Sequence, residues 1–241
     1  MRESWWRVLA AIAVLAVVSA QGYLLHSGNN PLEPMDTATQ GWALNNRNAF
    51  FTWGANVIDA IALPVVVIVL TLIAGAFFIW LDNGLKRGLT IVGTVIGALA
   101  FCFLLRALVE RPRPPLAHKL VRIPGAYSYP SAHTTGSAAL MVIVAWVATA
   151  YSLKLWMRLA LDAAAIATGV VAGSRVYIGA GWTSDQLAAV LIALAVGLLI
   201  AALIDLAWPW LGTHSPRSVG RWFNDDSGRR RPAMDLADGP V

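Results

Sequence analysis

The chain has 241 residues, of which 58% are hydrophobic and only 13% are charged. Soluble domains have about 45–50% apolar and about 25% charged residues, so this composition excludes an ordinary water-soluble fold. The net charge of +5 would suit a nucleic-acid partner. The Lys and Arg residues, however, lie in loops between apolar runs rather than on one soluble face, and we expect no nucleic acid. Because Cys102 is the only cysteine, an intrachain disulfide and a thiolate metal site are also excluded.

Apolar runs of the length of a membrane span follow one another along the chain. They cover residues 5–25, 57–81, 88–109, 132–152, 158–174 and 186–208. The fifth run is short for a span, and its helix is expected to continue toward Gly181. The sequence therefore predicts an all-α, polytopic membrane bundle of six transmembrane helices in residues 1–211, followed by a polar, basic cytoplasmic tail in residues 212–241.

The distribution of positive charge predicts how these helices are oriented. With a cytoplasmic N-terminus, that side receives the basic tail and the Lys and Arg residues after the second and fourth helices. The other side keeps Arg111, Arg113 and Arg175, which have a chemical reason to lie there. We expect a protein integral to the plasma (inner) membrane with both termini in the cytoplasm. A signal peptide cleaved near Val18-Ser19-Ala20 is the alternative, but six spans explain the charges better than five.

Arg106 and Arg113 mark the end of the third predicted helix. A guanidinium within a span is costly and by default indicates a functional site. Arginine suits phosphate because its planar fork donates two parallel hydrogen bonds to two oxygens. A snorkelling arginine followed by a basic loop has the same pattern, and this segment alone favours that interpretation.

Ser131 and His133 open the fourth predicted helix. Free N–H groups at a helix N-terminus bind anions, and the Ser131 hydroxyl adds a donor. His133 is two residues further on and can protonate a departing alkoxide near neutral pH. The alternatives are an ordinary N-cap serine and a histidine that is satisfied by a backbone carbonyl.

Arg175 and Asp185 lie between the fifth and sixth predicted helices. Arg175 supplies a further guanidinium on the same side of the membrane. Asp185 falls in the first turn of the sixth helix, where a carboxylate by itself complements the helix dipole.

Together the three segments resemble the signature of the type 2 phosphatidic acid phosphatase family, which shares its fold with vanadium haloperoxidases. The family pattern reads Lys-x6-Arg-Pro, Pro-Ser-Gly-His and Ser-Arg-x5-His-x3-Asp. Arg106 replaces the lysine and Ala132 replaces the glycine; the matching residues are Arg113, Pro114, Pro130, Ser131, His133, Ser174, Arg175 and Asp185. The resemblance covers roughly residues 5–208. It implies catalytic roles for His133 and Asp185, and phosphate binding by Arg106, Arg113, Ser131 and Arg175.

The departure from the family pattern concerns its nucleophile. The histidine that attacks phosphorus in the family falls on Gly181, so the resemblance implies a vacated nucleophile position. Asp185 loses the imidazole that it would orient, and on this interpretation it positions a water for direct attack. His118, in the outer loop, is the candidate substitute, although nothing in its spacing selects it.

Two classes of function follow from the resemblance and its departure. The first is a phosphatase that acts at the outer face of the membrane on phosphatidic acid-type lipids or polyprenyl phosphates. The second is a catalytically inactive relative that binds phospholipid headgroups or serves as a structural subunit of a membrane assembly. Neither class calls for a cofactor or a metal, and no protein partner is indicated.

Two further functions are disfavoured. A vanadate-dependent peroxidase would need the same missing histidine as its metal-oxide ligand. A transporter could use intramembrane charges as a pathway. Its candidate residues are Asp59, Arg106, Asp162 and Asp205. Most of these lie near predicted helix ends, where hydration explains them.

Overall fold

The computed structural model describes residues 2–120, 125–149 and 154–214, and within these ranges the fold is a bundle of α-helices. The helices are α1 (Arg2–His26), α2 (Glu33–Asn45), α3 (Ala49–Ile61), α4 (Pro64–Asp82), α5 (Lys86–Val109), α6 (Ala132–Ala148), α7 (Lys154–Tyr177) and α8 (Thr183–His214). A 3-10 turn, Leu116–His118, lies between α5 and α6. The predicted tail from residue 215 onward lies outside the described residues.

The prediction of an all-α polytopic membrane bundle is confirmed. Among the described residues, five helices are long and apolar enough to cross a membrane, namely α1, α4, α5, α7 and α8. The fourth predicted helix, α6, is apolar but has only 17 residues. α7 begins before the predicted residue 158 and extends past Ser174 to Tyr177, as expected from the shortness of the fifth run.

The predicted helix over residues 57–81 is wrong, because this stretch contains the end of one helix and most of another. α3 ends at Ile61 and α4 begins at Pro64. Proline lacks an N–H group and disfavours helical geometry in the residue before it, and Leu63 has an extended ψ of 132°. No helix is predicted between residues 26 and 56, yet α2 and most of α3 lie there.

α3 lies against the C-terminal end of α7. Its N-cap is Asn48, whose side chain accepts a hydrogen bond from the Phe51 N–H at 2.9 Å. The Asn48 N–H in turn donates to the Tyr177 hydroxyl at 3.0 Å. This contact holds the start of α3 beside the last turn of α7, and it brings the remainder of α3 close to the site described below.

The core lies among α5, α6 and α8, where small side chains permit close approach. A Cβ on Gly97 of α5 would lie 3.2 Å from Val196 of α8, and one on Gly136 of α6 would lie 3.2 Å from Leu99. Small residues drive close packing of membrane helices in this way. The backbones of the three helices are therefore held in a fixed relation, and so are the loops at their ends.

The three segments with unusual polar residues meet at one end of the bundle. The Ser131 N–H, at the start of α6, donates to the Asp185 carbonyl in the first turn of α8 at 3.3 Å. Arg113, in the loop after α5, donates to the Ala180 carbonyl in the loop between α7 and α8. The site can therefore be assembled from four helix ends and their loops.

Candidate functional site

Arg106 lies in the last turn of α5 and reaches across to the start of α6. Its Nη2 donates to the carbonyl of Pro130, the residue before Ser131. Its buried Nε has no hydrogen-bond partner among the described residues. Arg106 thus fixes the entry to α6 with one nitrogen and retains donor capacity for an anion.

Arg113 connects two loops at the same end of the bundle. Its Nε donates to the Gly125 carbonyl at 3.0 Å, and its Nη1 donates to the Ala180 carbonyl. Burial lowers the pKa of Arg113 to about 10, and the positive charge of Arg106 acts in the same direction. Arg113 therefore remains protonated at neutral pH. The positive charge of Arg106 repels it, and an anion bound between the two guanidinium groups would offset this repulsion.

A separate group of side chains, called here the Arg175 cluster, consists of Arg175, His133 and Asp59. Arg175 is only 3% exposed, and its Nη1 donates to Oδ1 of Asp59, which comes from α3. Nε2 of His133 lies 3.7 Å from the same carboxylate oxygen. Nε of Arg175 is buried and has no hydrogen-bond partner in the described part of the chain. A histidine and a guanidinium from two helices thus converge on one anionic group.

Ser131 is the N-cap residue of α6 and is buried. Its hydroxyl donates to Oγ1 of Thr134 at 3.2 Å, and Thr134 donates to Oε1 of Gln186 at 2.6 Å. The hydroxyl is therefore engaged within a chain of side-chain hydrogen bonds between α6 and α8. No described contact joins it to the Arg175 cluster, so its role in phosphate binding stays a prediction.

Asp185 is fully buried at the start of α8 and is paired with an arginine instead of a histidine. Its Oδ1 accepts from Nη1 of Arg111 at 2.6 Å, and its Oδ2 accepts from the Trp182 N–H at 2.8 Å. Nη2 of Arg111 donates to Oδ2 of Asp36 in α2 at 2.7 Å. Both oxygens of Asp185 are thus occupied by groups that fix the loop before α8.

Ser184 also contacts Asp36 and Arg111. The Arg111 cluster, as we call it here, consists of Asp36, Arg111, Ser184 and Asp185. The Ser184 N–H donates to Oδ1 of Asp36 at 2.8 Å, and its hydroxyl donates to Oδ2 at 2.7 Å. Burial by itself would raise the pKa of Asp36, but the hydrogen bonds from Arg111 and Ser184 hold that pKa below its ordinary value. Asp36 is therefore a carboxylate in the folded protein.

Gly181 lies beside Asp185. A Cβ at this position would be 3.1 Å from Oδ2 of Asp185 and 2.9 Å from Nε2 of Gln186. The Gln186 amide is the flexible end of a side chain, so it can move, but it occupies part of the space that a larger residue would need. A side chain introduced at position 181 would thus start next to the buried carboxylate.

His118, the candidate substitute for the nucleophile, lies in the 3-10 turn. Its carbonyl accepts from Arg47 and packs closely on Gly179, whose φ of +72° favours glycine. Its Nδ1 is buried and has no hydrogen-bond partner among the described residues. The described contacts of His118 are therefore with Arg47, before α3, and with the loop after α7, and they do not include the Arg175 cluster.

Two of the charges that a transporter would need, Asp59 and Asp205, lie in separate groups of ion pairs. Asp59 belongs to the Arg175 cluster, whereas Asp205 pairs with Arg7 at 3.1 Å and with Lys86 at 3.2 Å. Asp205 lies ~30 Å along α8 from Asp185, which marks the end of the bundle where the site lies. In the described part of the chain, there is also no group of three or more His, Cys, Asp and Glu side chains that could hold a metal ion.

A comparison with protein families decides the relationship of the chain. Residues 87–209, just over half of the sequence, match the PAP2 superfamily. The chain belongs to the PAP2 superfamily. The matched region begins in α5 and ends in α8, so it contains all three segments, and the predicted family relationship is confirmed.

One solved structure extends the likeness to most of this PAP2 superfamily chain. It is the crystal structure of the first transmembrane PAP2-type phosphatidylglycerolphosphate phosphatase from Bacillus subtilis. It aligns with a TM-score of 0.66 over 88% of this chain and 99% of that chain, at 20% identity. At this identity the likeness shows the fold alone. None of the curated proteins gives a significant match.

Two site residues that sequence reasoning did not assign lie before the region matched to the PAP2 superfamily. Asp36 comes from α2 and Asp59 from α3, and each pairs with an arginine inside the matched region. The available signal for Asp59 was a carboxylate between apolar neighbours, which requires a partner. Asp36 carries no comparable signal, because its partners Arg111 and Ser184 are far away in sequence.

Proposed function

We propose that this chain is a lipid-phosphate phosphatase of the membrane, with its site at the outer face. Membership of the PAP2 superfamily supports phosphatase chemistry in general. The observation that carries the proposal is the convergence of His133 and Arg175 on a single carboxylate, at the end of the bundle that also holds Arg106 and Arg113.

The electrostatics of this end of the bundle suit a phosphoryl group. Phosphoryl transfer depends mainly on positioning and on neutralising charge that spreads over the equatorial oxygens. Arg106 and Arg175 each have a buried Nε without a hydrogen-bond partner among the described residues. Arg113 lies close enough to Arg106 to be affected by its charge. A phosphate with two negative charges would satisfy these donors and offset the repulsion between the guanidinium groups.

A lipid substrate is supported by an apolar cavity of about 390 Å³ between α3, α4, α6 and α7. Its wall includes Ile58, Ser137 and Val171. Ile58 is the residue before Asp59. Ser137 lies one turn after His133, and Val171 lies one turn before Arg175. A hydrocarbon chain in this cavity would place its phosphate within one helical turn of the Arg175 cluster. We therefore propose an amphiphilic substrate, either a phosphatidic acid-type lipid or a polyprenyl phosphate.

The residues take separate roles in this proposal. Arg106, Arg113 and Arg175 bind the phosphate, and His133 donates a proton to the leaving alkoxide. Ser131 contributes the N-terminus of α6. Asp185 has both oxygens engaged, so we assign it to holding the loop before α8 rather than to positioning water.

A binding protein without catalysis is the second candidate, and the surroundings of Gly181 favour it. The resemblance to the family signature puts its nucleophile position at Gly181, and the Gln186 amide lies against the space beside this residue. Loss of one member of a catalytic unit typically costs several orders of magnitude in rate. Such a protein would retain the phosphate site and bind a phospholipid headgroup without hydrolysing it.

The outer-face location and the cytoplasmic termini rest on charge distribution and are tested by labelling. Single cysteines would be placed near the exposed residues 45 and 120, and near residues 86 and 225, after Cys102 is replaced. In intact cells, an impermeant thiol reagent should modify the first pair and spare the second. The opposite pattern would place the site on the cytoplasmic side.

Phosphate release from a panel of lipid phosphates tests the activity itself. Purified full-length protein in detergent would be given phosphatidic acid, phosphatidylglycerol phosphate and a polyprenyl diphosphate. We expect release from at least one of them, and a loss of ~100-fold or more in His133→Ala, the scale of a general acid. Binding of all three without release would favour the second candidate.

A further inference from the structure

Asp59 is an aspartate in an apolar setting. It lies in the last turn of α3, and its neighbours Ile58, Ile61 and Ala62 line the apolar cavity. Its side chain is 20% exposed, and Oδ1 contacts both Arg175 and His133. An ionised carboxylate in such surroundings is retained only when it is paired, and this one has two partners.

The other carboxylate at this end of the bundle is not available to His133. Asp185 is fully buried, and its two oxygens accept hydrogen bonds from Arg111 and from the Trp182 N–H. Asp36 is likewise held by Arg111 and Ser184. Among the described residues, Asp59 is therefore the carboxylate that contacts His133.

His133 needs such a partner if it is to act as an acid. Its burial in the bundle disfavours the charged imidazole, and the positive charges of Arg106 and Arg113 act in the same direction. A neighbouring carboxylate has the opposite effect and also fixes the ring in one orientation. When a substrate phosphate takes Arg175, Asp59 is left with His133 as its partner.

We infer that Asp59 is a positioning residue, whose carboxylate orients His133 and favours the protonated imidazole that gives its proton to the leaving oxygen. The inference rests on the proposed phosphatase function. A water oxygen forms the new bond to phosphorus, and the ester P–O bond breaks with its electron pair on the alkoxide. His133 protonates that alkoxide, and the proton lost by the water returns to His133 through solvent.

An ordinary structural ion pair between α3 and α7 is the competing explanation, and leaving-group chemistry separates the two. An alkoxide requires protonation as it departs, whereas p-nitrophenolate is stable without it. Asp59→Asn should therefore lower kcat ~100-fold on phosphatidic acid and leave kcat on p-nitrophenyl phosphate within a factor of about three. KM for both substrates should remain nearly unchanged.

Two variants accompany this test. Asp59→Glu restores a carboxylate and should recover part of the activity on phosphatidic acid. Asp82→Asn is the matched control. The Asp82 side chain is 18% exposed and forms an ion pair of 2.7 Å with Arg87, and this pair lies away from the site. It should behave like the wild-type protein on both substrates.

The outcomes distinguish this inference from the proposed function. Equal losses on the two substrates, or no loss on either, would overturn the positioning role while leaving the phosphatase assignment intact. No release of phosphate from either substrate by the wild-type protein would instead overturn the proposed function, and the inference with it.

Discussion

The Arg111 cluster and the Arg175 cluster each join an arginine to a carboxylate from an N-terminal helix, Asp36 or Asp59, but they differ in exposure and in unused hydrogen-bonding capacity. In the Arg111 cluster, Asp36 and Asp185 are 1% and 0% exposed, and their side-chain oxygens all accept hydrogen bonds. In the Arg175 cluster, Asp59 is 20% exposed and Nε of Arg175 has no partner among the described residues.

The comparison shows how two similar ion pairs can serve different purposes. When the buried groups of a cluster are all paired with one another, they fix the backbone but have no hydrogen-bonding capacity left for a ligand. A partly exposed cluster with an unpaired donor can exchange its internal anion for an external one. We therefore assign the Arg111 cluster to structure and the Arg175 cluster to chemistry.

Removal of Arg111 should be the most damaging change. Arg111→Ala leaves Asp36 and Asp185 buried without their shared partner, and breaking a buried pair in this way costs about 3–5 kcal/mol. Thermal or denaturant unfolding in detergent should show this loss. Arg87→Ala removes an arginine that pairs with Asp82 at 2.7 Å outside both clusters, and it should be much milder. Similar losses in the two variants would remove the structural assignment of the Arg111 cluster.

Introduction of an imidazole at position 181, where the family resemblance leads us to expect one, should have the next largest effect, and this effect is on activity. Gly181→His places a side chain beside Oδ2 of Asp185 once the Gln186 amide moves aside. We expect hydrolysis of a lipid phosphate to rise ~100-fold, because a positioned nucleophile replaces water. Gly181→Ala adds the same Cβ without an imidazole and should give no gain.

Asp185→Asn is the suitable second change in that experiment, since it keeps the shape of the side chain. In the Gly181→His background it should remove much of the gain, because the new imidazole loses its orienting charge. Because Asp185 also belongs to the Arg111 cluster, unfolding measured on both variants separates lost orientation from lost stability. A gain that survives this change would mean that Asp185 does not orient the introduced histidine.

Removal of Arg175 should affect binding more than folding. Arg175→Ala should weaken binding of vanadate or of a lipid phosphate by about tenfold or more, which is the scale of one charge-assisted contact of about 1.5–3 kcal/mol. Isothermal titration of the purified protein measures this. Unchanged affinity would show that the anion binds elsewhere and that the Arg175 cluster is structural.

The smallest expected effect is the contribution of Asp36 to the pH dependence of stability. Hydrogen bonds from Arg111 and Ser184 hold the pKa of Asp36 below its ordinary value of 3.8. A depressed carboxyl pKa contributes stability above the ordinary value and loses it as the pH falls below that value. The unfolding midpoint should therefore drop in this acidic range, and the drop should be smaller in Asp36→Asn.

The sequence predicted those parts of the fold that depend on local pattern. Long apolar runs gave the membrane helices, since hydropathy alone decides where a span lies. α2 and the start of α3 were missed because they are short and are not apolar runs of spanning length. Leu63 and Pro64 divided a run that is apolar throughout, which shows that composition can conceal a helix break.

The candidate site was predicted in part for a related reason. Family motifs named His133 and Arg175, but they gave no indication that Asp59 would lie between them, because this contact joins α3 to α6 and α7. The pairing of Asp185 with Arg111 was missed in the same way, since the two residues are 74 positions apart. Such partners are set by packing of the bundle and leave no spacing in the sequence.

Initial rates of phosphate release from phosphatidic acid test the central claim most directly. Wild-type protein would be compared with His133→Asn, which lies in the Arg175 cluster, in mixed micelles at neutral pH, with unfolding measured on the same samples. We predict release by the wild-type protein and a fall of ~100-fold in the variant at unchanged stability. Equal rates in two folded proteins would contradict the assignment of chemistry to the Arg175 cluster.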